Sequence, residues 1–207
     1  MIEGRDLYDP ERPLDWFEAL YQKADGQMGE IPWGDGEPNP NLVIWCEREG
    51  RPRRGERVLV VGCGLGDDAE YLAGRGAAVT AFDLSATAIA WCQKRWPDSA
   101  VRYVQANLLE AEWGEGFDLV VEIYTLQAMP PEVRALAYAK LAAAVKGELL
   151  VICRGRDEAD DPGGLPWRLT KAEIENGLTG LELAAFEDVA DPVKVGTRRF
   201  RAVWKKR

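Results

Sequence analysis

A glycine-rich turn between residues 58 and 68 carries the clearest chemical signal in the sequence. The segment is VLVVGCGLGDD: a short apolar run, three glycines in the spacing G-x-G-x-G, and then two acids. Gly62 and Gly64 can adopt backbone angles, and permit a close approach to a ligand, that a Cβ would prevent. Backbone amides at the start of the helix that follows can face the same ligand. The pattern therefore predicts a site for a nucleotide-type cofactor.

The glycine spacing and the charge of the turn distinguish between cofactors. In the dinucleotide fingerprint GxGxxG the third glycine would stand at position 67, which is Asp67 here, and an acid at that point opposes a pyrophosphate. The third glycine is instead Gly66. An acidic first helical turn suits a ligand that has no phosphate and some positive charge, and S-adenosylmethionine has these properties. A dinucleotide, another nucleotide, or a turn that has lost its cofactor are the alternatives.

Two further positions are spaced to complete such a site. Asp83 ends a second predicted strand about 20 residues after the glycines, where a carboxylate can accept hydrogen bonds from both ribose hydroxyls. Asn107 and Leu108 follow a third predicted strand, where an amide oxygen can accept from the adenine amino group and Leu108 can pack on the ring. Asp83 also precedes a predicted helix, so helix capping is its structural alternative.

The elements that must position these residues alternate along the chain from residue 57 onward. Five short, nearly continuous apolar runs predict strands that are buried on both faces: residues 57–61, 77–83, 101–105, 117–122 and 148–153. Helical spacing occupies residues 68–75, 86–96 and 131–145, and Thr170 with Glu173 forms a capping-box pattern. Two final β-rich runs, residues 181–189 and 198–204, indicate an antiparallel hairpin. The sequence therefore predicts an α/β protein with a doubly wound, mostly parallel, seven-stranded sheet.

The first 56 residues differ from the rest in their tryptophan and proline content and lack the alternation of strands and helices. They contain Trp16 and Trp33 together with several prolines, and we expect them to form a cap across the sheet. The core then runs from residue 57 to residue 207, and the whole chain is predicted to be a single domain. Each tryptophan either touches the ligand or is simply a buried anchor of the cap.

Composition limits the partners that we expect. The formal net charge of −9 argues against nucleic acid and anionic membranes. Four cysteines without a CxxC pair, in a chain with no histidine, give little support for a metal site or a disulfide framework. The N-terminus lacks the apolar stretch of a signal peptide, and no apolar run approaches the ~18 residues that span a bilayer, so the expected location is the cytoplasm. The composition leaves the oligomeric state undetermined.

Taken in order, these motifs resemble the class I S-adenosylmethionine-dependent methyltransferases, and within them the thiopurine and thiol methyltransferase-like branch. The branch is indicated by the glycine turn with Val60, by PWGDGEPNPNL at residues 32–42, and by IYTLQAMPPEVR at residues 123–134. The resemblance covers about residues 15–146. Residues 164–174, GLPWRLTKAEI, also resemble the substrate-side insert of related small-molecule methyltransferases.

The resemblance implies a Rossmann-like methyltransferase fold and a set of residues that line the cofactor. These are Gly62, Gly64, Asp83, Leu84, Asn107 and Leu108, with Trp16 and Trp33 closing over the cofactor and the acceptor. We add two neighbours of the motifs, Cys63 in the glycine turn and Ile123 after the fourth strand. One departure is VKGELLV at residues 145–151, which lacks the usual proline-glycine-glycine turn.

The implied activity is methyl transfer to a small-molecule nucleophile. Such a displacement mainly requires alignment and exclusion of water, and a thiol loses its proton at modest cost, which fits a chain without histidine. For an oxygen or nitrogen acceptor, the base would be Glu122, Tyr124 or Asp35. Glu122 and Tyr124 stand where relatives vary, and Asp35 lies in a Gly-Asp-Gly turn that favours Asp for backbone reasons alone. The alternative function is non-catalytic binding of the cofactor or of a nucleotide.

Overall fold

The computed structural model describes all 207 residues and contains one seven-stranded sheet. The strands are β1 (Arg57–Val61), β2 (Ala78–Asp83), β3 (Arg102–Gln105), β4 (Phe117–Ile123), β5 (Val145–Arg154), β6 (Leu181–Ala190) and β7 (Arg198–Lys206). Their order in the sheet is β3-β2-β1-β4-β5-β7-β6. The first five strands are mutually parallel, and β7 pairs antiparallel with both β5 and β6. The predicted sheet and its closing hairpin are confirmed.

Six α-helices connect and cover the strands. They are α1 (Asp15–Ala24), α2 (Pro40–Glu49), α3 (Asp67–Gly74), α4 (Ala86–Arg95), α5 (Pro131–Ala144) and α6 (Lys171–Gly177). The predicted capping box at the start of α6 is present, because Thr170 and Glu173 bond each other's backbone amides. None of the helices combines the length and the apolarity that a membrane span requires.

The start of β5 differs from the sequence prediction. The pattern placed Val145 at the end of a helix and began the strand at residue 148, whereas β5 begins at Val145 itself. Val145 is buried and pairs with Phe117 of β4. Gly147 follows with no room for a Cβ, which would collide with the backbone of Asp118. The chain therefore passes from helix to strand without a turn, which explains the absence of a proline-glycine-glycine segment.

Side chains alternate between two apolar layers along each central strand. Leu59 and Val61 of β1 face a layer that contains Leu141 of α5. Val58 and Val60 face the opposite layer, which contains α2 and α3. Because helices cover both faces, the strands are apolar on both sides, as the sequence pattern predicts.

The N-terminal segment contributes to two different layers. Leu42, Trp45 and Cys46 of α2 are fully buried against the sheet. Residues earlier in the chain, α1 above all, form a third apolar cluster with Leu65 after the glycine turn, and with Ala88 of α4. The cap thus rests on the same end of the sheet as the predicted cofactor site.

Candidate active site

The glycine turn leaves the end of β1 in an unusual backbone conformation. Gly62, Gly64 and Gly66 have φ angles of +59°, +55° and +88°, in the left-handed region that side chains other than glycine rarely adopt. At Gly62 a Cβ would also collide with the side chain of Thr125. The amide of Cys63 donates to the carbonyl of Phe82 at 2.8 Å, which ties the turn to β2. The sequence motif therefore folds into a rigid turn at the carboxyl end of the sheet.

Asp83 closes the other side of this turn. One carboxylate oxygen accepts from the amide of Gly64 at 2.9 Å, and the other accepts from the amide of Ser85 at 2.9 Å. Burial raises the pKa of Asp83 to about 6, although these hydrogen bonds act in the opposite direction. The N-cap of α4 is Ser85, whose hydroxyl accepts from the amide of Ala88. Each oxygen of Asp83 keeps a second lone pair for a ligand.

The segment after β3 lies next to Asp83, because the amide of Ala106 donates to the Asp83 carbonyl at 2.9 Å. Asn107 uses its side-chain oxygen to accept from the amide of Leu109 at 3.0 Å, so it shapes the local turn. Leu108 is buried in the core, in the same apolar cluster as Phe82. Asn107 can still accept from a ligand through its second lone pair, whereas the Leu108 side chain is already occupied by packing.

Trp33 brings the N-terminal segment onto the glycine turn. Its indole N–H donates to the hydroxyl of Tyr21 at 2.7 Å. A Cβ on Gly64 would lie only 3.2 Å from the Trp33 indole nitrogen and 3.2 Å from the Tyr21 hydroxyl. Trp16 sits one layer further back, stacked on Phe17 with ring centroids 4.0 Å apart, and is buried. The structure therefore brings Trp33, and not Trp16, against the turn.

Glu18 of α1 is a functional candidate that no local pattern signals. Its carboxylate accepts from the hydroxyls of Ser85 and Thr87, each at 2.6 Å. Partial burial acts to raise the pKa of Glu18, but these hydrogen bonds outweigh it and lower the pKa. The contact ties α1 to the first turn of α4, directly after Asp83. Sequence analysis misses it because the partners are 67 and 69 residues away from Glu18.

The three candidate bases occupy very different environments. Glu122 has no exposed surface; one carboxylate oxygen accepts from the amides of Thr125 and Leu126, and the other is buried without a partner. Burial raises the pKa of Glu122 to about 7. Tyr124 is half-buried, and Asp35 is exposed in its turn. In this conformation a carboxylate as buried as Glu122 cannot contact an acceptor.

The comparisons with known proteins agree with the geometry. Residues 58–148 match the methyltransferase domain family. A probable thiol methyltransferase 2 from Arabidopsis thaliana is 29% identical over 179 residues, which cover 84% of this chain and 77% of the relative. The chain is an S-adenosylmethionine-dependent methyltransferase.

Two further similarities extend over almost the whole length of this methyltransferase. Thiocyanate methyltransferase 1 from Brassica oleracea is 25% identical over 216 residues, covering 98% of this chain and 94% of the relative. The crystal structure of magnesium protoporphyrin IX methyltransferase from Synechocystis PCC 6803 with bound SAH is 17% identical. The structural alignment covers 96% of this chain and 100% of the Synechocystis protein with a TM-score of 0.74, so the two proteins share a fold.

The residues at the carboxyl end of the sheet fit the cofactor of a methyltransferase. Gly64 leaves a cradle beneath Trp33 and Tyr21 that a Cβ would fill. Asp83 presents a buried carboxylate beside this cradle, with lone pairs that the backbone amides do not use. Half-buried Ile123, Cys63 and Leu84 flank the same strand ends.

Proposed function

We propose that this methyltransferase acts on a small soft nucleophile, with a thiol as the preferred acceptor. The observation that carries the proposal is the set of candidate bases. Glu122 is fully buried and Asp35 is exposed. Burial raises the pKa of half-buried Tyr124, so its hydroxyl stays protonated at neutral pH. A thiol needs little help to lose its proton at neutral pH, whereas an alcohol or amine needs a general base in contact with it. The names of the two plant relatives, a thiol and a thiocyanate methyltransferase, support the same class of acceptor.

We assign the cofactor to the glycine turn and the neighbouring strand ends. S-adenosylmethionine supplies, when bound, a methyl group on a sulfonium centre that a nucleophile displaces in line. Asp83 accepts hydrogen bonds from the ribose hydroxyls, and Asn107 accepts from the adenine amino group. The backbone of Gly62, Cys63 and Gly64 lies along the ligand, because glycine presents no side chain at two of these three positions.

The remaining residues are proposed to shape the side of the site at which the acceptor binds. Trp33 and Tyr21 cover the turn and exclude water from it. Glu122 holds the amides of Thr125 and Leu126, so its proposed role is to fix the loop after β4 and not to remove a proton. Tyr124 begins that loop, and its ring lies under the guanidinium group of Arg199; its proposed place is beside the acceptor.

A release assay for the demethylated cofactor tests this proposal. The purified chain is incubated with S-adenosylmethionine and, in turn, with alkyl thiols, aromatic thiols, thiocyanate, iodide, phenols and amines. We expect turnover with thiols to exceed turnover with phenols and amines by at least tenfold. Equal or faster methylation of a phenol or an amine would contradict the thiol assignment. Cofactor binding without turnover of any acceptor would favour the non-catalytic alternative.

A further inference from the structure

Two arginines face each other where β5 ends and β7 begins. Arg154 is the last residue of β5, Arg199 is the second residue of β7, and the two are direct partners in the antiparallel register. Direct partners project to the same face of a sheet, and like charges in that arrangement are unfavourable. The fold therefore tolerates a local repulsion at the carboxyl end of β5.

The guanidinium groups around this pair have only one carboxylate partner, Asp191. Arg199 donates to Asp191 at 2.5 Å and lies over the ring of Tyr124, but its buried Nη1 has no partner. The half-buried side chain of Arg154 makes no hydrogen bond and no ion pair. Arg168 precedes Leu169, whose amide donates to the Arg154 carbonyl at 2.9 Å. The side chain of Arg168 donates only to the backbone carbonyl of Asp161, at 2.8 Å. Three positive charges thus share one carboxylate.

This shortage of partners is local. The chain has 35 acidic and 26 basic residues, so carboxylates are abundant. Close neighbours of the pair are all matched: Arg156 bonds Glu173, Arg198 bonds Asp188, and Arg201 bonds Glu187. Burial, and then the charge of Arg199, lower the pKa of Arg154. The unmatched arginines are therefore not a general property of this surface, and a bound anion would relieve the repulsion.

The pair lies at the carboxyl ends of the parallel strands, two strands across the sheet from the glycine turn. Tyr124 follows β4, and the next residue, Thr125, packs on Gly62 of the glycine turn. β4 separates β1 from β5, so at roughly 4.8 Å per strand Arg154 lies about 10 Å across the sheet from Gly62. Tyr124 has a φ of +65°, in the left-handed region that residues other than glycine rarely adopt. A strained aromatic residue therefore stands between the glycine turn and the arginines.

We propose that Arg154, supported by Arg199 and Arg168, binds a carboxylate of the acceptor, so that the enzyme selects small thiols that also carry an acid group. The planar guanidinium fork matches a carboxylate in geometry and charge. The distance from Gly62 makes the bound anion a substituent of the acceptor and not its reacting sulfur. This inference rests on the proposed function. The amino acid moiety of the cofactor is a second source of a carboxylate, and the experiment separates the two.

The test compares 3-mercaptopropionate with its neutral isostere 3-mercaptopropionamide. For the parent enzyme we expect kcat/KM to favour the acid by at least tenfold. Arg154→Gln should abolish this preference, and Arg154→Lys should retain part of it. The affinity for SAH should be unchanged in both variants. Arg102→Gln removes an exposed arginine at the opposite end of the sheet and should leave the preference intact.

Other outcomes overturn the proposal. Equal losses of kcat/KM for the acid and the amide in Arg154→Gln would show that Arg154 does not recognise the charge of the acceptor. A higher Kd for SAH in this variant would show that Arg154 binds the carboxylate of the cofactor. The melting temperature of Arg154→Gln should not fall, because the substitution relieves repulsion with Arg199; a fall would indicate a structural role.

A binding measurement tests this inference independently of the proposed methyl transfer. If no thiol is methylated, calorimetric titration of 3-mercaptopropionate into the enzyme with SAH still measures the subsite. Binding that weakens at least tenfold in Arg154→Gln would support the subsite while thiol turnover fails. No binding to the parent enzyme would overturn it.

Discussion

Asp83 shows how one buried carboxylate can serve both a fold and a ligand. It bonds the amides of Gly64 and Ser85, and so fixes the glycine turn against the start of α4. Burial raises its pKa to about 6 because the charged form is desolvated. Ionised Asp83 is the form that accepts hydrogen bonds from a ligand, so its protonation state should govern cofactor affinity.

The affinity for SAH should therefore depend on pH through Asp83. As the pH falls through about 6, the carboxylate gains a proton, and we expect the affinity to fall by about tenfold between pH 8 and pH 5. Asp83→Asn should bind SAH about 1.5–3 kcal/mol more weakly at pH 8, the usual range for hydrogen bonds to a charged group, and should lose the pH dependence. Calorimetric titration of both proteins measures this. A pH dependence that persists in Asp83→Asn would move the titration to another group, such as Asp68, whose pKa burial also raises to about 6.

Glu122 should control stability rather than binding. Its pKa in the folded chain, about 7, lies above its ordinary value of 4.5, so the folded state binds this proton more tightly than the unfolded state. The stabilisation is fully present below about pH 4.5 and is lost as the pH rises through 7. Glu122→Gln keeps an oxygen for the amides of Thr125 and Leu126 and removes the charge. We expect it to be more stable than the parent at pH 8, by on the order of 2 kcal/mol, and similar at pH 5.

Urea unfolding at the two pH values measures the effect of Glu122→Gln. The control is Glu115→Gln, which alters an exposed carboxylate on the loop before β4. A variant with the same stability difference from the parent at both pH values would show that Glu122 does not titrate in this range.

At the scale of elements, α1 and the loop after it act as a unit over the glycine turn. Glu18 anchors α1 to Ser85 and Thr87, and Trp33 lies over Gly64 through its bond to Tyr21. Ligands of open α/β sheets bind at the carboxyl ends of the strands, which is where this segment rests. The segment is therefore placed to shield a bound ligand from water.

Trp33→Ala should lower turnover more than it lowers the affinity for SAH, because the ribose and adenine contacts remain. We expect kcat to fall at least tenfold and the Kd for SAH to rise by less than threefold. Trp113→Ala is the matched control, since this partly buried tryptophan packs on Phe82 and Phe117 at the edge of the core, away from the glycine turn. If Trp33→Ala lowers the melting temperature and leaves kcat unchanged, the segment only covers apolar surface.

At the scale of the whole molecule, we expect the fold to select an adenosyl cofactor without a pyrophosphate. Asp67, at the position of the third glycine of a dinucleotide motif, is paired with Arg95 at 2.7 Å. Its charge is therefore partly neutralised, and we expect the narrow space that Trp33 and Tyr21 leave above Gly64 to add to the exclusion of a pyrophosphate. The expected exclusion of NAD thus depends on packing as well as on the acidic turn.

A thermal shift experiment tests this selectivity on the intact chain. SAH at 100 times its Kd should stabilise the fold by roughly 2.7 kcal/mol, whereas NAD at the same concentration should produce no shift. Adenosine serves as the control for the shared part of the two ligands. A shift with NAD as large as the shift with SAH would contradict the assignment of the site.

The sequence alone determined the elements whose signals are local. The glycine turn, the end of β2 at Asp83 and the alternation of strands and helices all depend on residues close together in the chain, and they predicted the sheet and its cofactor. The sequence did not predict the start of β5 correctly, because the first residues of this strand pair with β4, which is distant in the chain.

Only the tertiary structure decided which candidate side chains meet. Trp33 contacts Gly64, whereas Trp16 is buried behind Trp33. Glu122 is fully buried beneath the loop whose amides it binds. Glu18 finds Ser85 across 67 residues, and Arg154 meets Arg199 across an antiparallel register. These contacts arise from how layers pack and strands align, and no spacing along the chain encodes them.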